Sequence, residues 1–401
     1  MLASVALAAI IASAPVAHPR VVSADPADNT PHVLDGIVNA FALVGGTVVV
    51  GGSFSEVADP DGRAVYPRAN LFAYDLATGR VLPRFAPFVA GAVHGLAAGD
   101  DGTVYVGGAF RAVNEERAHA LTRLSLADGR AVPGFRPAIA GGMVTSLARR
   151  GSRLYVGGDF TYPRTALARL DASSGRTDPG FRITPGAPLT SRVKVHALAL
   201  SADRLAVDGS FTTLNGRSRP QLGLIDVGRA TARVDGWRTE AYSAKCMDAF
   251  PSYVRGLDFS PDGRYFAVVT TGGPKGRLCD TAARFETYAK GSNVPPTWVN
   301  STGGDSLYAV SVTGAAVYVG GHQRWLNNPK GRDSAGPGSV PRPGIGAIHP
   351  RTGKALGWNP GRERGIGVKA FLAHAGGLLV GSDTTRLGRE YHARIGMFPL
   401  P

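Results

Sequence analysis

The chain has 401 residues, 44% hydrophobic and 18% charged, with 54 glycines, 28 prolines and a formal net charge of +14. That apolar content excludes a disordered or low-complexity chain, and so much Gly and Pro points to many tight turns and short strands. The cations are mostly Arg and are scattered rather than gathered into a run; they form no nucleic-acid motif and mean either a solvated basic surface or attraction to anionic envelope polymers.

Met1 to Val16 is apolar, too short to span a bilayer, and followed by small residues and Pro. It reads as a secretory signal peptide with Val22-Ser23-Ala24 as a cleavage site, although no Lys or Arg precedes it; the alternative is a buried N-terminal helix. The expected division is a signal peptide over 1–24 and one folded domain over 25–401, extracellular and a candidate for association with the cell envelope. No later segment is long and apolar enough for a membrane anchor.

One phrase then recurs along the chain: VVVGGSF ending at Phe54, VYVGGAF at Phe110, LYVGGDF at Phe160 and LAVDGSF at Phe211. A degenerate copy, RYFAVVTTGG, lies near Thr270, and VYVGGHQ at Gln323 and LLVGSD at Asp383 complete seven copies. Their spacing, roughly 50 to 61 residues, is that of propeller repeats. Each copy follows a short apolar run such as VHGLAA from Val93. It precedes an alternating run such as LFAYD from Leu71, then a turn at Thr78-Gly79, Asp128-Gly129 or Ser174-Gly175, then a last extended piece such as VLPRF from Val81. Four short strands per unit make one propeller blade, and helical periodicity is absent. The predicted fold is all-β: a seven-bladed β-propeller of four-stranded blades. The chain begins on an outer strand and ends on an inner one at Ile395 to Pro399, so the N-terminal strand from Pro31 to Leu34 is expected to complete the seventh blade and close the ring.

The phrase VYVGGAFRAVN…ALTRLSLADGRAVPGF resembles the delta-type bacterial repeat of secreted propellers and, more loosely, kelch repeats. VRGLDFSPDGRYFAVVTTGG, LCDTAARFE, VYVGGHQRWLNNP, SVPRPGIGAI and GREYHARIGMFPL make the second half similar to a group of secreted actinobacterial propeller proteins of uncharacterised function. The resemblance covers nearly all of the chain after the leader. It implies fold and export, and no catalytic residues.

Candidate sites fall on loops displayed by the scaffold. Cys246, in the link into the fifth unit, and Cys279, between its second and third strands, make a plausible disulfide, and neither belongs to a CxxC metal or redox motif. The longest loop between second and third strands starts at His322; His322, Arg324, Trp325, Asn327 and Asn328 combine an aromatic face with amides and a cation, as a sugar or aromatic ligand needs, unless Trp325 merely plugs the loop onto the ring. Asp383 and Tyr391 occupy the corresponding loop of the seventh unit. Arg68, Arg164, Arg219 and Arg342 recur seven residues before a strand-end Asp or His, with Arg117 one residue out of step. They form either a partial ring of guanidinium groups for anions or packing elements of the repeat itself. His94, His196 and His374 follow inner-strand patterns, as core or channel-lining residues.

No HExxH, GxSxG, P-loop or EF-hand loop is present, so no catalytic residue, metal or cofactor is assigned. AYDLATGRVLPRF from Ala73 is similar to the docking motif of quinoprotein propellers, but any third-to-fourth-strand hairpin can read so. The expected function is a non-catalytic, monomeric propeller binding an anionic polysaccharide, cell-wall polymer or glycan through its loop-rich face. The alternatives are an extracellular hydrolase, lyase or oxidoreductase with a site assembled from several blades, and a protein–protein scaffold.

Overall fold

The computed structural model describes residues 16–273 and 276–401, so most of the expected leader lies outside the described residues. Among the described residues there is no helix, and hence none long and apolar enough to cross a membrane. The repeated Val-x-Val-Gly-Gly phrase is the second strand of each unit: Thr47–Ser53, Thr103–Gly108, Arg153–Gly158, Arg204–Gly209, Tyr265–Thr270, Val317–Gly321 and Gly377–Gly381. These strands are buried on both faces, which is why they read as apolar runs rather than as an alternation. The first Gly of the phrase is a packing requirement. A Cβ at Gly51, Gly107 or Gly157 would lie 2.4, 2.5 or 2.6 Å from a methyl of Val93, Val144 or Val195 on the next unit.

Each second strand pairs with a preceding first strand and a following third strand. The first strands are Ile37–Val44, Val93–Ala98, Val144–Arg150, Val195–Leu200, Val254–Phe259, Leu307–Val312 and Ala370–His374. Each packs against the first strand of the next sheet, and Ala370–His374 packs back against Ile37–Val44. Apolar clusters fill the spaces between neighbouring sheets; one joins Val38 and Phe41 of the first sheet to Ala370, Leu379 and Ile395 of the last. Sheets stacked face to face about an axis, with their first strands innermost, are the architecture of a β-propeller.

Fourth strands depart from expectation. Only Arg233–Val234 and Trp298–Ser301 pair as fourth strands. In four other sheets the position is reduced to single bridges, Tyr74 with Val81, Leu124 with Ala131, Leu170 with Thr177 and Ile348 with Ala355. In the first three, Pro83, Pro133 and Pro179 follow two residues later; proline cannot donate to a ladder and ends it. Hairpins inserted between second and third strands supply further pairing. Examples are Glu56–Ala58 with Val65–Pro67 and Ala112–Val113 with Glu116–Arg117.

The N-terminal pairing is also different. His32–Val33 pairs with Glu56–Ala58, not with the last sheet's own strands, because it is a link and the links here pair with these hairpins: Val89 bridges to Val113, and Pro185–Pro188 pairs with Phe211–Leu214. The segment beside Ile395–Pro399 lies upstream. Ser23 N donates to Pro399 O and Ala27 N to Met397 O, both at 2.8 Å. His18 N donates to Thr313 O, buried Val22 N donates to Tyr318 Oη, and Trp358 Nε1 donates to Ser23 O. Residues 18–24, assigned to the leader from sequence, thus rest on the last two sheets.

Cys246 and Cys279 form the expected disulfide, with Cα atoms 5.8 Å apart. It ties the link into the fifth sheet to the start of that sheet's third strand, a constraint that contributes about 3–4 kcal/mol through loop-closure entropy.

Candidate functional site

Six of the first strands slip register at the same place against their second strands: between Val38 and Ala40, Val93 and Gly95, Val144 and Ser146, Val195 and Ala197, Val254 and Gly256, and Leu307 and Ala309. Such a bulge leaves one residue unpaired and re-aims its side chain. The bulged residues are Asn39, His94, Thr145, His196, Arg255 and Tyr308; Lys369, just before Ala370–His374, is the seventh. All seven line one axial cavity of about 260 Å³, together with apolar side chains two residues further along, from Phe41 to Phe371.

The ring is asymmetric in charge. His196, Arg255, Tyr308 and Lys369 come from four consecutive sheets, and the Lys369 ammonium sits 3.3 Å from the centroid of the Tyr308 ring. Burial pulls Lys369 down to about 8, with Arg255 and Arg362 adding to that and Asp383 opposing it. Burial likewise lowers Arg255, whose Nη1 and Nη2 donate to Val254 O and Ser252 O. His196 is lowered to about 3, by burial first and then by Arg255 and Lys194, and is therefore neutral at physiological pH. His94 is lowered by burial and by Lys194, which stands at the rim and is itself lowered mainly by burial.

Among the described residues, no carboxylate lines this cavity. The acids bordering its opening are engaged elsewhere. Asp159 accepts from Met143 N and pairs with Arg192 at 3.5 Å; Asp305 takes Arg324 through Nε and Nη2 at 2.8 and 3.0 Å and Arg364 at 2.7 Å; Asp383 holds Arg362 at 2.8 Å and two backbone N–H groups. Asp208 lies behind the wall, where it replaces the first Gly of the repeat and accepts from Ala197 N at 2.9 Å. Burial pushes it up to about 7, so it is a weak counter-charge for Arg255 at neutral pH. Among the described residues, Lys194, Arg255 and Lys369 enter no ion pair.

The residues singled out from sequence have mixed positions. His322 meets the ring edge-on: its ring centroid is 5.6 Å from that of Tyr308 and its Nδ1 is 3.4 Å from Tyr308 Oη. Asp383 borders the opening through Arg362. Arg324 is held by Asp305 and lies 4.4 Å over Trp325, which itself pairs with Pro341 in a short hairpin. Asn327 Oδ1 accepts from Asn300 Nδ2 and Ala355 N. Asn328 is fully buried, donating to Thr302 O and Ser334 O and accepting from Gly336 N. These two amides order the loop from within. Tyr391 is exposed on a distant hairpin beside His32.

The five repeat arginines do not converge on the cavity. Arg68, Arg219 and Arg342 are buried and donate to carbonyls of their own sheet, such as Pro67 O, Asp235 O and Leu356 O. Arg117 is exposed on its hairpin and Arg164 is half-buried. His94 and His196 line the channel as anticipated, while His374 is buried with its carbonyl accepting from His18 Nε2. The seven-residue ring as a whole was not recognised from sequence. Its signal is the second position, the one that changes chemical class between an aliphatic, a small and an apolar residue, in V-N-A-F, V-H-G-L, V-T-S-L, V-H-A-L, V-R-G-L, L-Y-A-V and V-K-A-F.

Comparison with known proteins agrees with the architecture. Residues 152–181, a single repeat of the third sheet, match the model of a family described as a domain of unknown function (DUF5122) beta-propeller. No curated protein matches the chain. Among solved structures, the computationally designed Ika8 protein is similar over 94% of this chain and all of its own, at 12% identity and a TM-score of 0.51. The WD40 beta propeller domain of Doa1 aligns over 92% of this chain and 96% of its own, at 10% identity and a TM-score of 0.49. The likeness to the designed protein, at this identity, speaks to fold alone. The chain is a β-propeller.

Proposed function

We propose that the chain is a closed, seven-bladed propeller, exported from the cell, that binds an anionic ligand at the mouth of its axial cavity without chemical conversion. One observation carries the reading: Arg255 and Lys369 line that cavity with Lys194 beside them, no carboxylate is among the described lining residues, and none of the three cations enters an ion pair among the described residues. Concentrated, partly desolvated cations attract and hold anions far more strongly than the same charges spread over a wet surface. Seven first strands in cyclic contact support the blade count, and the disulfide is compatible with an oxidising compartment. That no carboxylate among the described lining residues orients His94 or His196 as acid or base supports binding without conversion. The glycan reading of the loop from His322 is weaker, since the Arg324 guanidinium already lies over the Trp325 ring.

The test is retention on immobilised heparin, used as a generic polyanion, at 0.15 M salt. The double variant Arg255→Gln/Lys369→Met is expected to elute at distinctly lower salt than the parent. A control of equal charge change on the exposed surface, Arg130→Gln/Arg176→Gln, is expected to elute close to it. Equal shifts in the two variants would mean that overall charge alone binds polyanions, and the axial reading would fail.

A further inference from the structure

We infer that the axial ring is a site for a compact, doubly charged oxyanion, the terminal phosphate monoester group of a small or chain-end ligand. The inference rests on the anion-binding reading above and narrows it to one ligand class.

Three features of the ring lead there. The first is stoichiometry of charge. Arg255 is among the groups that disfavour the charged forms of both Lys369 and Lys194, so it repels both lysines, while Asp383 and Asp159 act on them in the opposite sense. Asp159, Asp305 and Asp383 are already bound to Arg192, Arg324 with Arg364, and Arg362. A single negative charge would leave most of that repulsion in place, whereas a dianion would relieve more of it. The second is donor supply. Arg255 and Lys369 are supplemented by the His196 ring, whose Nε2 is buried without a hydrogen-bond partner. Tetrahedral oxyanions take several donors from different directions, as a ring of side chains presents them. The third is size. A cavity of about 260 Å³ falls below the usual range for drug-sized ligands, so it accepts a head group and the first atoms behind it, not a polymer strand lying across the ring. A phosphate monoester, with its second pKa near 6, carries close to two charges at neutral pH; sulfate monoesters and carboxylates carry one.

The experiment compares phenyl phosphate, phenyl sulfate and benzoate, which share an aromatic body and differ in head group, by titration calorimetry at pH 7.5 and low salt. Phenyl phosphate is expected to bind at least tenfold more tightly than the other two. Arg255→Gln and Lys369→Met should each weaken it tenfold or more, while Lys369→Arg, which restores the charge, should stay within about threefold of the parent. Melting temperatures taken alongside show that each variant is folded. Equal affinity for all three probes, lost in the same variants, would overturn the dianion assignment and leave the anion-binding mouth standing. Phenyl phosphate binding that ignores both substitutions would overturn the site. No binding of any probe would overturn the inference as well. In that case the heparin result decides separately whether the broader reading survives.

Discussion

Asp208 stands where five of the other six copies of the repeat have glycine, in LAVDGSF against VYVGGAF, and its environment explains the cost of that exchange. Its side chain is fully buried, with Oδ1 accepting from Ala197 N and Oδ2 without a partner. Burial raises its folded-state pKa to about 7, above the value of an exposed carboxyl in the unfolded chain. Between those two values the native state binds the proton more tightly, so stability falls as pH rises from about 4 to about 7, with the penalty fully developed above that. Asp208→Asn keeps the acceptor and removes the ionisation. The variant is expected to match the parent near pH 4 and to exceed it by about 2–4 kcal/mol at pH 8, read by urea denaturation at both pH values. A constant difference across that range would show that ionisation is not the cause. At the same scale, the ring residues illustrate why a candidate site can hide in a repeat. Asn39, His94 and Thr145 are chemically unrelated and lie about 50 residues apart, so only the bulge that each occupies makes them equivalent.

Among elements, the N-terminal segment has the most direct consequence. Ser23 and Ala27 hydrogen-bond to the last strand, Val22 is 3% exposed and Trp358 donates to Ser23 O. Cleavage after Ala24 would remove Val22 and Ser23 and leave Tyr318 Oη and Trp358 Nε1 without their partners. Any processed form of the chain is therefore expected to begin at or before His18. Intact-mass measurement of secreted material decides this, and a start at Asp25 would contradict it. Purified chains starting at Val16 and at Asp25 should also differ, the shorter losing about 2–4 kcal/mol from the lost burial of Val22 and the lost hydrogen bonds of His18, Val22 and Ser23. The link containing His32–Val33 was recognisable in sequence by its likeness to later links, but its partner was not. Which strand a link pairs with depends on the hairpins inserted at Glu56–Ala58 and Phe211–Leu214, which carry no shared phrase.

For the whole molecule, closure is the property on which the axial site depends, because seven side chains share one cavity only if the last sheet returns to the first. The junction is built like the internal ones. A Cβ at Gly381 would lie 2.6 Å from Val38 Cγ1, as one at Gly157 would lie 2.6 Å from Val195 Cγ1. Gly381→Val and Gly157→Val should therefore destabilise the protein to a similar degree, by about 1–3 kcal/mol or more from overpacking, as measured by thermal or urea unfolding. A Gly381 variant that tolerated valine while the Gly157 variant did not would mean that the ring is open in solution.

The division between what sequence and tertiary structure decide follows from range. The all-β class, the repeated second strand, the turns and the pairing of Cys246 with Cys279 are legible in the chain because they rest on local chemistry: Val and Gly at fixed spacing, Gly in tight turns, and two cysteines with no other partner. The misplacement of the arginines has the opposite origin. Arg68, Arg219 and Arg342 recur because each binds carbonyls within its own sheet, a role repeated in every unit that uses it and therefore visible as a pattern. Arg255 and Lys369 occur once each and acquire their significance only from His196, Tyr308 and the absence of a carboxylate across the axis. A repeat displays what each sheet needs for itself; the field in the shared cavity is a sum over sheets, and only the tertiary structure performs that sum.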